Sequence, residues 1–161
     1  DVIYPGFTLQ SGVLTGAGAV ISRYIRIDGV VSPGNGIGTL SLVGDVTLGN
    51  LGDSFGTYIA ELGVDDADRI VITGNLEMTT DFDRLVLNGG LVGESYVIAQ
   101  YSGVRSGIFD NVTPGYNVIY DDLAKQIRVE PIPEPASMAL AMMGIVAVAV
   151  GLRSRTQRKA I

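Results

Sequence analysis

Apolar and polar residues alternate in short runs along most of this chain. The clearest case places Leu40, Leu42, Val46 and Leu48 on one face, with Ser41, Asp45 and Thr47 among the residues between them. Strict alternation over four to eight residues predicts half-buried strands. Similar runs recur at residues 24–27, 57–62, 69–73, 76–78, 84–87, 95–101, 117–120 and 126–130. Turn signals separate them: Asp28-Gly29, the glycine- and proline-rich residues 32–38, Gly74-Asn75, and Asn88-Gly89-Gly90. Gly44-Asp45 falls inside the clearest run and predicts a bend or bulge there. No stretch before Pro131 keeps a helical period over eleven residues. The last two runs predict a hairpin that caps an exposed sheet end.

Short strands joined by Gly and Asn turns, without helices, leave two architectures: a β-sandwich or a parallel β-solenoid. Coils of about 20–25 residues would give about five or six of them, and no strict repeat marks them.

The pattern breaks after residue 130. Pro131, Pro133 and Pro135 keep the chain out of a regular helix. Residues 136–152 carry no charge, and Ser137 is their only polar side chain. Such a run, about 26 Å long as a helix, sits at the lower edge of what spans a bilayer. Arg153, Arg155, Arg158 and Lys159 then stop it. The positive-inside rule leaves this basic tail in the cytoplasm and everything before residue 136 outside. The chain therefore divides into a β-rich body, residues 1–130, and a C-terminal segment, residues 131–161. That segment holds a predicted transmembrane helix at 136–152 and a tail at 153–161.

Charge and composition narrow the chemistry. Residues 1–152 hold seven basic side chains against all 17 acidic ones, a formal charge of −10. That opposes nucleic acid and anionic lipid as partners. There is no Cys, so disulfides and thiolate chemistry are excluded, and no His, the commonest general base and metal ligand. No cofactor is expected. The chain opens on Asp1 without an export signal, and is expected to be a C-terminal fragment or a processed chain.

Pro133-Glu134-Pro135, the short apolar run and the Arg-rich end together resemble the PEP-CTERM sorting signal of bacterial surface proteins. The resemblance implies an exosortase as partner, a membrane-embedded cysteine transpeptidase-like enzyme that cuts near the tripeptide. It also implies an exported protein, first held in the inner membrane with its C-terminus cytoplasmic, then passed to the cell surface or extracellular matrix. Pro133, Glu134 and Pro135 would then be a site that another enzyme reads.

A second resemblance covers the body. Residues 30–48, led by Gly29, run G-V-V-S-P-G-N-G-I-G-T-L-S-L-V-G-D-V-T-L. They are similar to the autotransporter-associated β-strand repeat, with Gly36-Ile37 where that family shows Ser-Pro. Residues 68–74 and 106–109 agree with the same family. The resemblance implies a right-handed parallel β-helix used as a passenger or stalk, without catalytic activity. The expected fold is therefore an all-β right-handed solenoid followed by one transmembrane helix, with a β-sandwich plus the same helix as the alternative.

Few residues are candidates for chemistry. Asp65, Asp66 and Asp68, with Glu61 nearby, could offer oxygens to Ca²⁺, but no EF-hand or calcium-roll pattern surrounds them. A solvated turn is the simpler reading. Asp81 and Asp83 flank Phe82 and could serve a polysaccharide-cleaving β-helix as a carboxylate pair. Two acids so close are commonplace in an acidic chain. Gly16, Gly18 and the glycines of 34–38 are not a phosphate loop, since no Lys-Ser/Thr or helix follows. Asn111-Val112-Thr113 matches a glycosylation sequon that the bacterial character of the tail discounts. Tyr96, Tyr101, Tyr116 and Tyr120 could form a strip for sugar rings; packed strand tyrosines are the plainer reading. The sequence thus predicts a non-enzymatic surface or matrix protein with a structural or adhesive role. Polysaccharide is a secondary partner. A permanently anchored adhesin and a carbohydrate-active β-helix are the alternatives.

Overall fold

The computed structural model describes residues 6–49, 56–79 and 83–133. All regular structure among them is β, and no helix is present. In chain order the strands are β1 (Phe7–Leu9), β2 (Val13–Gly16), β3 (Ala19–Ile27), β4 (Val30–Pro33), β5 (Thr39–Leu48), β6 (Gly56–Leu62), β7 (Arg69–Thr73), β8 (Leu76–Met78), β9 (Asp83–Gly89), β10 (Tyr96–Tyr101), β11 (Arg105–Ser106), β12 (Asn111–Val112), β13 (Tyr116–Asp121) and β14 (Gln126–Pro131).

They form two open sheets. One runs β1-β3-β5-β7-β10-β14-β13, with β8 and β11 continuing it beside β5. The other runs β12-β9-β6-β4-β2. The chain passes back and forth between them, and strands of successive passes pair in parallel. The two sheets present inward rows that continue from strand to strand. Leu40 lies beside Ile70, which lies beside Ala99. Ile27 lies beside Leu48, which lies beside Met78, and in the other sheet Val31, Tyr58 and Leu85 form one row. These side chains are buried, and each Val, Leu, Ile or Met among them contributes about 1.5–3 kcal/mol by leaving water.

The spacing of register partners scatters about the expected 20–25 residues. Register partners lie 18 residues apart between Phe7 and Ile25, 21 between Ile25 and Val46, and 30 between Leu40 and Ile70. Loops of different length absorb the difference, so no strict repeat is written into the sequence.

The bend expected at Gly44-Asp45 is a bulge, and the extra residue belongs to the neighbouring strand. Ile21 pairs with Val43 and Tyr24 with Asp45, so Ser22 and Arg23 of β3 stand against Gly44 alone. Gly44 has φ of 137°, and a Cβ there would overlap the carbonyl oxygen of Ser22. Two residues on β3 against one on β5 reverse the inward phase of β3: Val20 packs against the core before the bulge, and Ile25 and Ile27 are buried after it.

The expected terminal hairpin is present. β13 and β14 pair antiparallel from Tyr116↔Pro131 to Asp121↔Gln126. β14 also pairs antiparallel with β10, which ends the parallel series and covers its edge.

Candidate functional site

The chain leaves the body through β14. Its alternation puts Ile127 and Val129 in the core, and Pro131 is buried as the last strand residue. Ile132 and Pro133 follow and are exposed. Glu134, Pro135, the run 136–152 and the basic residues Arg153, Arg155, Arg158 and Lys159 lie outside the described residues, as does the predicted transmembrane helix. Among the described residues no helix is long and apolar enough to cross a membrane. The first proline of the tripeptide thus stands two residues beyond a hydrogen-bonded sheet.

The acidic turn is not a shared cation cage. Asp68 is fully buried, and its two carboxylate oxygens accept the N–H groups of Gly38 at 2.8 Å and Glu61 at 3.0 Å. It ties the loop after β4 to β6, so the reading of a wholly solvated turn fails at this residue. Asp66 accepts the N–H of Ala67 at 2.8 Å and lies 3.9 Å from the Arg69 guanidinium. Asp65 is exposed. No group of three metal-ligating side chains is gathered among the described residues.

Asp83 also points inward. It opens β9, is completely buried, and accepts the N–H of Asp110 at 2.8 Å on Oδ1. Oδ2 has no hydrogen-bond partner among the described residues. Burial pushes its pKa up to about 6; the Asp110 N–H opposes the rise and the Asp110 charge adds to it. Asp81 lies outside the described residues. Asp83 is thus an interior carboxylate, not an exposed one.

The tyrosines are fastened into the fold. Tyr96 Oη donates to the carbonyl of Gly63 and accepts the N–H of Leu91, both at 2.9 Å. Tyr101 Oη donates to Asp122 at 2.6 Å. Tyr116 donates to the carbonyl of Gly89 at 2.8 Å, and Tyr120 accepts the N–H of Phe109 at 2.8 Å. Tyr96 and Tyr101 are buried and the other two half-buried. Tyr96 and Tyr101 are packed as the plainer reading expects, but the hydroxyls of all four bond to protein groups.

Sequence pattern did not anticipate one cluster at the far end of the hairpin. Arg105 reaches Asp122 through Nε at 2.8 Å and through Nη2 at 2.9 Å, bonds the carbonyl of Gly107, and lies over the Tyr120 ring at 4.7 Å. It fastens the hairpin to β11, and nothing in the spacing of these residues announces it. The sequon threonine is likewise part of the fold: Thr113 Oγ1 accepts the N–H of Leu87 at 3.0 Å. A shallow groove of about 300 Å³ lies beside it, lined by Arg84, Val86, Asn111 and Pro114 among others.

Comparison with known proteins finds two similarities. Residues 131–156 match the PEP-CTERM protein-sorting motif. The match includes Pro133, Glu134, Pro135, Arg153 and Arg155 and stops before Arg158 and Lys159. An extracellular serine protease of Serratia marcescens is 32% identical over 115 residues, which is 66% of this chain and 11% of that protein. The chain therefore spans about a tenth of the length of this curated relative.

Proposed function

We propose that this chain is an exported, non-enzymatic surface or matrix protein, sorted through its C-terminal signal by an exosortase-type enzyme. The observation that carries the reading is the sorting-motif match at residues 131–156, which coincides with the tripeptide, apolar run and basic end read from the residues themselves. Export and a surface or extracellular destination follow from the motif. Anchoring through residues 136–152 with the tail in the cytoplasm is the topology that the charge distribution favours.

We read the body as a β-solenoid of the autotransporter-associated type. Alternation between two sheets, parallel pairing of successive passes and inward rows of aliphatic side chains all support it. A structural or adhesive role fits a body in which Asp83 is buried and accepts the Asp110 N–H. The protease similarity does not redirect this. It covers 11% of that protein, and a chain without His cannot supply the histidine of a serine protease triad.

Intact mass of the protein recovered from its native cells tests the proposal. Loss of the Arg-rich tail is expected in the wild type, and a mature species that retains it refutes processing. Pro133→Ala with Glu134→Ala should accumulate the unprocessed form in the membrane fraction.

A further inference from the structure

Among the loops that turn the chain from the second sheet back to the first are those after β4, β6 and β9. Each carries exposed aliphatic side chains. Ile37 is 44% exposed, Val64 65%, Leu91 47% and Val92 60%. Single exposed aliphatics need no explanation. These recur 27 residues apart, from 37 to 64 to 91, and 27 is also the offset that pairs Val30 with Thr57 and Thr57 with Arg84. The same step that stacks the strands therefore stacks these side chains along one corner of the body.

Contacts place these loops side by side. A Cβ on Gly63 would fall 2.5 Å from Cδ1 of Ile37, so Ile37 lies against the residue before Val64. Tyr96 Oη joins Gly63 to Leu91. A Cβ on Gly90 would fall 3.0 Å from Cγ of Pro131. The chain thus leaves the body beside Leu91, at the end of this stripe.

We propose that this corner rests on a zwitterionic lipid surface while residues 136–152 occupy the bilayer. The inference rests on the membrane reading given under Proposed function. Only five residue steps separate Pro131 from Ala136, at most about 17 Å of extended chain. The corner at which the chain exits is therefore held close to the headgroups. Ile37, Val64, Leu91 and Val92 would enter the interface, where burial of apolar surface is favourable. Asp65, Asp66 and Glu94 are exposed on the same loops. They suit the ammonium groups of choline and ethanolamine headgroups and would be repelled by anionic lipid. Removal of the signal would release the corner from the surface.

The chain has no Cys, so single labels are unambiguous. Val92→Cys and, separately, Val64→Cys carry an environment-sensitive fluorophore in the full chain, reconstituted in phosphatidylcholine–phosphatidylethanolamine vesicles with lipid-attached quenchers. Leu123→Cys is the control on the body: it is 97% exposed and sits at the turn end of the hairpin, opposite Pro131. Val146→Cys reports whether the apolar run is inserted. Quenching at 146, 92 and 64, with at least threefold less at 123, is the expected result. Quenching at 146 with labels 92 and 64 no more quenched than 123 overturns this inference and leaves the membrane reading standing. No quenching at 146 overturns both.

Discussion

Asp83→Asn should remove a pH dependence that the wild-type body carries in its core. Asp83 is completely buried, and its pKa rises from 3.8 to about 6 because burial penalises the charged carboxylate. Between these values the folded protein binds a proton that the unfolded chain has released. Stability therefore falls as pH rises through this window, and the fall is complete above about pH 6. A gap of about two pKa units corresponds to about 3 kcal/mol at about 1.4 kcal/mol each. Asp122 has the opposite sign: hydrogen bonds from Arg105 and Tyr101 lower its pKa, so its contribution is present above pH 3.8 and is lost below it. Its effect cancels when wild type and Asp83→Asn are compared at each pH. The asparagine keeps an oxygen for the Asp110 N–H and cannot ionise. Urea unfolding followed by tyrosine fluorescence at pH 4, 5, 6 and 7 gives the two stability curves. The wild type should lose about 2 kcal/mol of this relative to the variant between pH 4 and pH 7, since pH 4 already lies above the unfolded value of 3.8. A difference that stays constant across that range would show that Asp83 is not the buried, neutral-preferring acid described here.

Two further substitutions probe the frame around it. Tyr58→Phe removes the hydroxyl that donates to the carbonyl of Ile98 at 2.7 Å, with the Asp68 carbonyl at 3.1 Å. It should cost about 1–2 kcal/mol in urea unfolding, and a neutral result would mean that these buried carbonyls do not depend on Tyr58. Gly44→Ala adds an overlap with Ser22 to a positive φ and should cost about 3 kcal/mol or more. Gly36→Ala has φ of 93° with open space around the new methyl and should cost only about 1–2 kcal/mol; equal losses would sink the packing account of the bulge.

Much of the body is legible in the sequence because alternation and turn chemistry are local. Leu40, Leu42, Val46 and Leu48 are buried as their spacing predicts, and the terminal hairpin stands where its turn residues put it. The bulge was half legible. Gly44 marks its position, but the extra residue lies on β3, across a contact that no local pattern encodes. The phase change in β3 explains why Ile21 and Tyr24 are exposed while Ile25 is buried. The acids were the least legible. Hydropathy places Asp68 and Asp83 at the surface, and only the tertiary fold brings Gly38, Glu61 and Asp110 within reach of them. The 27-residue recurrence of Ile37, Val64 and Leu91 is in the sequence, yet it acquires meaning only beside the register of the second sheet.

The placement of β14 between β10 and β13 has a mechanical consequence. A load arriving through residue 131 enters along the axis of a strand that is hydrogen-bonded on both sides. The ladder to β13 spans six register pairs and the ladder to β10 spans four. Such a strand is sheared, and its bonds share the force together; an edge strand pulled outward would yield them one by one. Tension applied at residue 131 would thus meet the shear resistance of two ladders at once.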